Sequence, residues 1–548
     1  MRDAYAVPKI RTAEAALMSS LPEGALMQRA AGGLASVCAR LLTSGHDGRV
    51  YGARIAVLAG TGDNAGDALY AGAALAGRGA AVTAVAAGGR VHPGGSGALR
   101  AAGGRIIAAG AAEAGGDRLI RHVISHADLI IDGLLGIGGK GGLREPYATL
   151  ARWAGQARGL VVAVDLPSGI DADTGAVEGP AVRADVTVTF GACKPGLLID
   201  PGASHAGVVE LVDIGLGPHL LEPPDASAPQ RDDIDALVPR PDPESDKYRR
   251  GVVGLVAGSD RFTGAAVLAT GGAVHGGAGM VRLVTAPEAA AAVRQEWPEA
   301  VLTVIGDEEA GGGTTARSEN IIEAAGRVQA WVAGPGMGVT PAAAGRLAAV
   351  LSTNLPVLVD ADGLSLLGQR PSLLPRPAPT LLTPHAGELA RLLGAEPAAV
   401  AARRLEHARR AAGQFGACVL LKGSTTVIAA PDELDPVLVN TTGTPWLATA
   451  GTGDVLSGLA GALLAQGLLP PQAAIVAAYL HGLAARLAAT GDLAPARPPG
   501  RSLGGTGRAA GGNGEPLPPA DGPAVAPAGA PIGASDVVRA LPSAFRAL

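Results

Sequence analysis

Short apolar runs alternate with Ala-rich stretches along most of the chain, and this alternation limits the folds that are open to it. In the first part of the sequence the apolar runs are Arg54–Ala59, Ala127–Asp132, Leu160–Asp165 and Asp185–Phe190. Each run is nearly continuous in apolar residues, as in strands that are buried on both faces. A helix is predicted after the first run, over Gly66–Arg78. The pattern therefore predicts an α/β fold with a parallel sheet covered by helices on both faces.

A second set of apolar runs follows in the other half of the chain. Its predicted strands are Val252–Ala257, Met280–Thr285, Ala330–Ala333, Pro356–Asp360, Thr380–Leu382 and Cys418–Leu421. Residues 217–247, between the two sets, are dense in Pro and Asp, which is typical of a linker or of the beginning of a domain. We therefore predict two α/β domains, at 1–222 and 232–548, joined by a linker at 223–231. The two halves carry different Gly motifs, so no internal repeat is predicted.

Residues 494–531 consist mainly of Pro, Gly and Ala, with hardly any large apolar side chain. Such a segment cannot bury enough apolar surface to offset its ordering entropy, so it is predicted to be a disordered insertion in the second domain. A short helix is predicted after it, over Ala534–Leu541. Val537, Val538 and Leu541 have the spacing of a helix stripe that packs on the second domain.

Composition excludes several classes of protein. Lys and Arg number 44 and Asp and Glu 49, so the net charge of −5 argues against a broad nucleic-acid interface. Cys38, Cys193 and Cys418 lie too far apart for a disulfide scaffold or a Cys-rich zinc site, and they suit a reducing compartment. The first residues lack the apolar core of a signal peptide, and the most apolar stretch, Leu456–Leu469, is shorter than a bilayer span. We therefore expect a soluble cytoplasmic protein with neither nucleic-acid nor membrane partners.

A Gly-rich turn follows the first predicted strand. Residues Gly60–Asp67 read GTGDNAGD and lead from the strand into a helix. Backbone N–H groups at such a turn suit a phosphate or pyrophosphate, although the spacing is not GxGxxG. The alternative is a tight turn capped by Asn and Asp side chains, without a ligand.

Two further clusters follow other predicted strands of the first domain. Asp132–Gly142 reads DGLLGIGGKGG, and Asp165–Asp171 reads DLPSGID. In open parallel sheets, ligands bind outside the carboxyl ends of the strands, so the three clusters are expected to converge on one edge. Oxygen ligands of this kind can also hold a hard cation.

These three motifs, in this order, resemble the NAD(P)H-hydrate epimerase domain, a Rossmann-like three-layer fold that interconverts the R and S epimers of hydrated NAD(P)H and binds potassium. The resemblance implies potassium ligands at Asn64, Asp132 and Ser168. It implies substrate contacts at Asn64, Ala65, Gly66, Asp67, Gly136, Ile137, Gly138, Gly139, Lys140, Gly141, Gly142 and Tyr147. It also implies contact of the substrate with Asp165 as the acid/base at C6, with Lys194 as a second candidate. The sequence departs from the family's usual NNGGDG at Asp63, Ala65 and Ala68, which bears on the efficiency of epimerisation.

The second domain carries a helix start with an acid in its first turn. Thr449–Gly458 reads TAGTGDVLSG, and the free N–H groups there can stabilise negative charge on a transferred phosphoryl group. Asp454 beside this anion site can take a proton from an attacking hydroxyl. The alternative is that Asp454 only caps an ordinary helix.

Other strand ends of the second domain carry further polar groups. Lys422–Thr426, KGSTT, suits the phosphates of a nucleotide, although a lone Lys is more often a solvated charge. His385, in TPHAGE, stands where a helix begins and could be structural only. Gly336 lies in GPGMG, which allows close backbone approach, and Asp360–Asp362 could position magnesium.

Together with KYRRG and FTGAAVLA, these motifs resemble the ADP-dependent NAD(P)H-hydrate dehydratases, which have a ribokinase-like fold. They occur in the family's order over almost the whole second half. The resemblance implies contacts of the hydrated cofactor with Ala266, Gly336 and His385, and of the adenine nucleotide with Lys422, Gly423, Ser424, Thr425, Thr426 and Gly453. It implies that Asp454 meets the substrate hydroxyl and that ADP is the co-substrate.

The sequence therefore predicts a bifunctional repair enzyme for NADHX and NADPHX, expected to be a homo-oligomer. One alternative is a sugar or vitamin kinase, since that fold also uses a GxGD helix start. A second is non-enzymatic: the first domain, with its altered Asn-Gly loop, would only bind a nucleotide or a partner. The choices between NADH and NADPH hydrate and between ADP and ATP stay open at this point.

Overall fold

The computed structural model describes residues 1–44, 48–109, 116–305, 321–432, 435–491 and 529–548. They form two compact units, which we describe separately. One unit is Ala4–Glu222, and the other comprises Met1–Asp3 with the described residues from Pro223 onward. A short strand near the beginning of the chain, β1 (Arg2–Ala4), lies at one edge of the second unit's sheet.

The first unit is a parallel sheet with helices on both faces. Its strands are β2 (Arg54–Ala59), β3 (Ala81–Ala86), β4 (Arg105–Ala108), β5 (Leu129–Gly133), β6 (Leu160–Val164), β7 (Val186–Phe190) and β8 (Val208–Val212). Its helices are α1 (Val7–Met18), α2 (Ala25–Ser44), α3 (Asp63–Gly77), α4 (Pro93–Ala101), α5 (Gly116–Ser125), α6 (Tyr147–Gln156) and α7 (Ala203–Ala206). The strands lie in the order β4-β3-β2-β5-β6-β7-β8, and neighbouring strands are parallel. Because the order reverses between β2 and β5, the sheet opens a ligand crevice there.

Two apolar layers cover this sheet. Residues of α1, α2 and α3 pack on one face, where Leu34 and Leu69 are fully buried. Residues of α5 and α6 pack on the other, where Ile124 and Ala154 are fully buried. The predicted α/β class, with continuous apolar strands, is confirmed for this unit.

The second unit is a mostly parallel sheet that turns antiparallel on one side. Its strands are β1, β9 (Ala226–Ala228), β10 (Val252–Val256), β11 (Met280–Thr285), β12 (Val301–Val304), β13 (Ala330–Ala333), β14 (Val357–Val359), β15 (Thr380–Leu382), β16 (Cys418–Leu421), β17 (Thr426–Ala429) and β18 (Val437–Asn440). The order is β1-β9-β18-β17-β16-β15-β14-β13-β10-β11-β12. From β12 to β16 the neighbours are parallel, and β17 is antiparallel to both β16 and β18. The α/β prediction is confirmed here as well.

Helices pack around this second sheet. They are α8 (Arg231–Asp235), α9 (Thr263–His275), α10 (Pro287–Glu296), α11 (Ile321–Ala325), α12 (Pro341–Leu351), α13 (Ala361–Gln369), α14 (Ala386–Leu393), α15 (Pro397–Ala402), α16 (Arg404–Phe415), α17 (Thr452–Ala465), α18 (Pro470–Thr490) and α19 (Ala534–Arg546). A Cβ on Gly458 of α17 would lie 1.9 Å from the Ala269 carbonyl oxygen of α9, so only glycine permits this close crossing. The crossing fixes the position of the α17 N-terminus.

One helix in the described part of the chain, α18, is long and apolar enough by length and composition to cross a membrane. Within that helix, 72% of the apolar window is buried inside the protein. The interior of the second unit therefore accounts for its apolar character.

Several boundaries differ from those that the sequence predicted. Helix α3 begins at Asp63, three residues earlier than predicted, because Gly62 is its N-cap and Asp63 lies in its first turn. Residues 217–247 are not only a linker, since β9 and α8 lie within them. The C-terminal helix is confirmed and extends beyond Leu541 to Arg546, with Val537 and Val538 buried. Most of the predicted insertion lies outside the described residues.

Two non-glycine residues of the described chain have left-handed backbone conformations. They are Asp165 (φ 64°) and Ala361 (φ 46°). Asp165 directly follows β6, and Ala361 comes two residues after the end of β14. Such conformations are strained for residues with a Cβ and are concentrated at functional sites.

Candidate active sites

A cavity of about 890 Å³ lies at the carboxyl ends of β2, β5 and β6 in the first unit. Its walls include Thr61, Gly62, Asp63, Asn64, Asp67, Leu134, Leu135, Gly136, Ile137, Gly138, Gly139 and Asp165. The expected convergence of the three motifs on one edge is therefore present. We call this cavity the first-unit cavity.

Asp165 forms a buried ion pair behind the wall of this cavity. The Lys194 ammonium donates to Asp165 Oδ1, and also to Thr189 Oγ1 at 2.9 Å. The Thr189 hydroxyl and the Phe190 N–H each donate to Asp165 Oδ1 at 3.2 Å. Lys194 is only 1% exposed, whereas Asp165 lines the cavity. The two candidate acid/base residues thus form one hydrogen-bonded pair, with the carboxylate on the side of the cavity.

Asp132 and Ser168 lie in direct contact at the same edge. Asp132 is completely buried and accepts from the Ser168 hydroxyl at 2.8 Å and the Ser168 N–H at 2.9 Å. Burial raises the pKa of Asp132 to about 6, while hydrogen bonds from Ser168 and Leu134 act in the opposite direction. A buried carboxylate held only by neutral donors is the kind of group that a cation would stabilise.

Asn64 lies beside this pair of residues on the β2 side. Its Nδ2 is buried and has no hydrogen-bond partner within the described part of the chain. A Cβ on Gly136 would come within 3.1 Å of Asn64 Oδ1, so Gly136 leaves the amide space. No group of three or more His, Cys, Asp or Glu residues suited to a metal occurs among the described residues. One carboxylate with neutral oxygens fits a monovalent cation better than a transition metal.

Some residues that the resemblance implied do not line the first-unit cavity. Ala65 and Gly66 are buried inside α3, facing the core. Lys140, Gly141 and Gly142 lie beyond the part of the loop that forms the wall. Tyr147 begins α6, and its hydroxyl lies 3.6 Å from the position of a Cβ on Gly88. Tyr147 therefore lies near Gly88, after β3, and not in this wall.

The first two helices also contribute to the walls of the first-unit cavity, which the sequence did not predict. Arg11 and Glu14 of α1 and Met27 of α2 line the first-unit cavity. Burial, and then the charge of Asp165, raise the pKa of Glu14. The same two causes raise the pKa of Asp67 well above its usual value. The helices precede the Gly motifs and carry no motif themselves, so nothing in the sequence signalled their place.

In the second unit, a buried ion pair joins the ends of two strands. Lys422, after β16, donates to Asp360 Oδ1, after β14, at 2.7 Å. The Ser457 hydroxyl of α17 donates to Asp360 Oδ2 at 2.7 Å. Glu388 Oε2 lies 3.8 Å from the Lys422 ammonium. Asp360 is 1% exposed, so these contacts satisfy a carboxylate that water scarcely reaches.

Asp454 lies next to this pair, in the first turn of α17. Burial, and then the charge of Asp360, raise the pKa of Asp454 to about 7, while Lys422 lowers it. The N-cap of α17 is Gly451 and no side chain caps the helix, so the alternative reading of Asp454 as a helix cap is wrong. A Cβ on Gly453 would lie 3.4 Å from the Lys422 ammonium. The helix start, Lys422 and Asp454 therefore form one cluster.

The remaining predicted ligand residues surround this cluster to different degrees. His385 is exposed and caps α14, where its Nδ1 accepts from the N–H of Gly387 at 3.0 Å. Ala266 is completely buried in α9. The exposed residues at this end of α9 come just before Ala266 in the sequence. Gly336 has φ 58° and is partly exposed. At the end of β16, Gly423 and Ser424 are exposed, whereas Thr425 and Thr426 are buried.

The acids that the sequence suggested for magnesium make hydrogen bonds to protein groups. Asp360 Oδ1 accepts from Lys422 and Asp360 Oδ2 from Ser457. Asp362 Oδ2 accepts from the Gly338 N–H at 2.9 Å. A magnesium ion that arrives with the phosphates of a nucleotide needs only one or two carboxylates, so these contacts leave the magnesium prediction untested.

A buried histidine beside the second cluster was also missed. His481 of α18 is 7% exposed, and its Nε2 has no hydrogen-bond partner among the described residues. Burial lowers the pKa of His481 to about 4, so the imidazole is neutral. It stands in an apolar helix without any motif, so periodicity alone identifies it only as a core residue.

Comparison with known proteins agrees with this two-site arrangement. The family model described as YjeF-related protein N-terminus matches residues 23–196, and the one described as NAD(P)H-hydrate dehydratase matches residues 253–499. The bifunctional NAD(P)H-hydrate repair enzyme Nnr of Mycobacterium leprae is 46% identical over 491 residues, which are 89% of this chain and 94% of the relative. The chain belongs to the bifunctional NAD(P)H-hydrate repair enzymes. This membership sets aside the kinase and the purely binding alternatives.

A second relative covers most of the chain, and a solved structure covers a smaller share of it. The Nnr protein of Mycobacterium tuberculosis strain H37Rv is 48% identical over 86% of this chain and 91% of its own length. A solved ADP/ATP-dependent NAD(P)H-hydrate dehydratase from Bacillus subtilis, co-crystallised with ATP and Mg²⁺, is 27% identical. That match covers 58% of this chain and 97% of the other, with a TM-score of 0.45.

Proposed function

We propose that the first-unit cavity interconverts the R and S epimers of hydrated NAD(P)H and that the cluster at Asp454 dehydrates the S epimer with ADP. The observation that carries the proposal is Asp454, a carboxyl with a pKa of about 7 at a helix N-terminus. A base with a pKa near the working pH combines sufficient ionisation with sufficient basicity. The helix N-terminus beside it favours negative charge on a phosphoryl group.

The dehydration proceeds in two parts. The Asp454 carboxylate takes the proton of the C6 hydroxyl, and this oxygen attacks the terminal phosphorus of ADP, so that an O–P bond forms and the bond to AMP breaks. The C6–O bond then breaks with the help of the ring nitrogen's lone pair, and phosphate leaves. Loss of a proton from C5 restores the double bond and NAD(P)H. Uncapped N–H groups at the start of α17 stabilise the charge on the transferred group.

Lys422 supports this step from its place in the protein, without a direct contact with the nucleotide. Its ammonium is engaged with Asp360 and lies against Gly453. From there it lowers the pKa of Asp454 and adds positive charge to the phosphate side of the cluster. We propose that exposed Gly423 and Ser424, with Gly453, contact the nucleotide, and that Gly336 and His385 contact the hydrated cofactor. Magnesium at Asp360–Asp362 remains a proposal, and no step is assigned to it.

The epimerisation uses the Asp165–Lys194 pair. Asp165 faces the cavity and holds or moves a proton at the C6 hydroxyl, while Lys194 keeps one carboxylate oxygen in place. Protonation lets the hydroxyl leave as water with the help of the ring nitrogen, and water returns on the other face. Glu14 and Asp67, whose pKa values are raised, border the same cavity as further proton carriers.

A potassium ion fits the group formed by Asn64, Asp132 and Ser168. When bound, it supplies a fixed positive charge. Asp132 would hold it as a carboxylate, and the buried amide of Asn64 would turn its oxygen toward it. We also propose a domain limit near residue 222, a homo-oligomeric state and a cytoplasmic location.

The test is to incubate the full-length protein with mixed hydrate epimers and to follow the absorbance of reduced cofactor. With ADP, both epimers are expected to return to NAD(P)H. Without ADP, chromatography is expected to show R and S equilibrating with no reduced cofactor formed. Recovery of only the S epimer would contradict the epimerase assignment, and formation of a stable phosphorylated product would contradict the dehydratase assignment.

A further inference from the structure

A second cavity, of about 730 Å³, lies at the carboxyl ends of β3 and β4. The backbone turn 86–89 forms one wall, and Arg100 of α4, Ala108 and Glu145 form others. We call it the β3–β4 cavity. None of the motifs that predicted the function accounts for it, and its size suits a nucleoside.

The β3–β4 cavity adjoins the first-unit cavity at one point. A Cβ on Gly88 would lie 2.4 Å from Thr61 Cγ2 and 3.6 Å from the Tyr147 hydroxyl. Thr61 lines the first-unit cavity and Gly88 lines the β3–β4 cavity. Thr61 and Gly88 are therefore in contact, and a ligand that lies over this contact can reach both spaces, with Tyr147 beside its middle.

The sheet topology says which half of a dinucleotide belongs in each space. In doubly wound sheets the pyrophosphate lies at the N-terminus of the helix after the first strand, and the adenosine lies over the next strand outward. Here that helix is α3 and that strand is β3. With the nicotinamide at Asp165, the adenosine half falls in the β3–β4 cavity.

The charges around this cavity decide between two substrates. An acid near the end of the second strand normally holds the ribose 2′-hydroxyl of NAD, whereas an Arg accommodates the 2′-phosphate of NADP. Residues 86–92 after β3 read AAGGRVH, so no acid is present and the first charged residue is Arg90. Glu145 is engaged by Arg152 at 2.8 Å and by the Thr149 N–H at 3.1 Å. No free acid in the turn after β3 therefore competes with a phosphate group for Arg100.

We propose that the β3–β4 cavity binds the adenosine half of the hydrated cofactor and that Arg100 holds a 2′-phosphate, so that the epimerase prefers NADPH hydrate over NADH hydrate. The inference rests on the proposed epimerase function and adds its substrate class. Guanidinium groups bind phosphate through paired, charge-assisted hydrogen bonds. Removal of such bonds typically costs about tenfold to a hundredfold in affinity.

The test measures epimerisation of purified NADHX and NADPHX separately, without ADP, by chromatography. In Arg100→Gln, kcat/KM for NADPHX is expected to fall about tenfold to a hundredfold, and that for NADHX less than about threefold. Arg105→Gln is the matched control, because Arg105 is exposed at the opposite end of β4. It is expected to leave both values unchanged.

A second variant approaches the same question from the opposite side. Gly89 lines the cavity, its φ is not positive, and a Cβ there meets nothing within 4 Å. Gly89→Asp should therefore fold normally, which a thermal unfolding curve checks, and should repel a 2′-phosphate. Its NADPHX to NADHX ratio of kcat/KM is expected to fall at least tenfold.

The outcomes separate the inference from the proposed function. If the wild-type protein epimerises neither hydrate, the epimerase function itself fails. If it epimerises both and the ratio of the two kcat/KM values is the same in wild type, Arg100→Gln and Gly89→Asp, the function stands and the 2′-phosphate site is overturned. A loss confined to NADPHX in both variants supports the site.

Discussion

Asp454 is the residue that we propose as the base of the dehydratase. Asp454→Asn keeps the size of the side chain but removes the base, and loss of a positioned base typically lowers the rate about 10²- to 10⁴-fold. We expect ADP-dependent recovery of NAD(P)H to fall by that factor, while R and S still equilibrate in the first unit. Near-normal ADP-dependent turnover would contradict the assignment.

The pH dependence of the wild-type enzyme is the control for this variant. Asp454 acts as a base only when ionised, and its pKa is raised to about 7. Dehydration should therefore rise with pH up to about 7, and fall about tenfold for each pH unit below it. The residual activity of Asp454→Asn should lack this dependence on pH. Profiles of kcat/KM against pH for both proteins would measure the difference.

Substitutions of Asp165 and of Lys194 are expected to impair epimerisation in the same way. Asp165→Asn should leave the S epimer repaired while R accumulates, because the carboxylate that faces the cavity is lost. Lys194→Met should give a similar loss, since the ammonium holds Asp165 Oδ1. Chromatography of the epimers measures both. If Lys194→Met equilibrates R and S at the wild-type rate, the pair is not a unit.

The sequence predicted which side chains lie at the candidate sites where a motif carries them, and missed those that folding alone brings in. Asp454 and Asp165 stand in recognisable strings. The partner of Lys422 was not predicted, because the Asp360 contact joins residues that are 62 positions apart and depends on strand order. Glu14 lies on a helix without a motif and reaches the cavity only through packing.

At the scale of secondary-structure elements, the Asp360–Lys422 pair links β14 and β16 across β15. Lys422→Met leaves a carboxylate buried without its cation, which typically destabilises a protein by about 3–5 kcal/mol. We expect denaturant unfolding to show such a loss, and the double variant Asp360→Asn/Lys422→Met to recover much of it. Arg539→Met, which breaks the exposed pair with Asp536, is the control and should cost under about 1 kcal/mol.

The thermal stability of the protein is expected to depend on potassium through Asp132. Burial raises the pKa of Asp132 to about 6, so the ionised form costs stability as the pH rises through that value. A bound cation offsets this cost only when the carboxylate is ionised. Potassium should therefore raise the Tm more at pH 7.5 than at pH 5, as measured by calorimetry with equal ionic strength.

Asp132→Asn is the control for the potassium effect. It removes the charge that the cation neutralises while keeping most of the hydrogen-bonding shape. The variant should show no difference in Tm between potassium and a bulky organic cation. A persistent potassium effect in this variant would place the ion elsewhere.

Elements were predicted well where apolar runs are rich in Val and Ile and poorly where they are rich in Ala. Leu129–Gly133 and Leu160–Val164 correspond closely to predicted strands. Ala81–Ala86 was missed, because AVTAVA is a weak strand signal beside Ala-rich helices. The position of this strand in the sheet is set by its pairing with β2. The local sequence pattern carries no information about that pairing.

At the scale of the whole molecule, the described residues on either side of positions 492–528 lie next to each other. The Ala530 N–H donates to the Ala489 carbonyl oxygen at 2.8 Å, so the two flanks lie side by side. Deleting residues 497–526 should therefore not stretch the chain. Shortening a loop changes its closure entropy by only about 0.6 kcal/mol per halving of length.

Both activities and the Tm of this deletion variant are expected to stay close to the wild-type values, as measured by epimer chromatography, absorbance and calorimetry. A deletion that also removes α19 is the comparison, because Val537, Val538 and Leu541 are buried there. It should lower the Tm strongly. An equally large loss in the first deletion would mean that residues 497–526 contribute to the folded core.

The left-handed backbone at Asp165 and Ala361 has a consequence for laboratory evolution. Glycine adopts such angles freely, and a strained residue typically costs about 1–3 kcal/mol. A screen that rewards heat resistance alone would therefore favour glycine at 361, where no charge is lost. At 165, glycine would relieve the backbone but leave the buried Lys194 ammonium without its anion, which typically costs about 3–5 kcal/mol. Such a screen would keep the acid at 165 even though it does not select for epimer conversion.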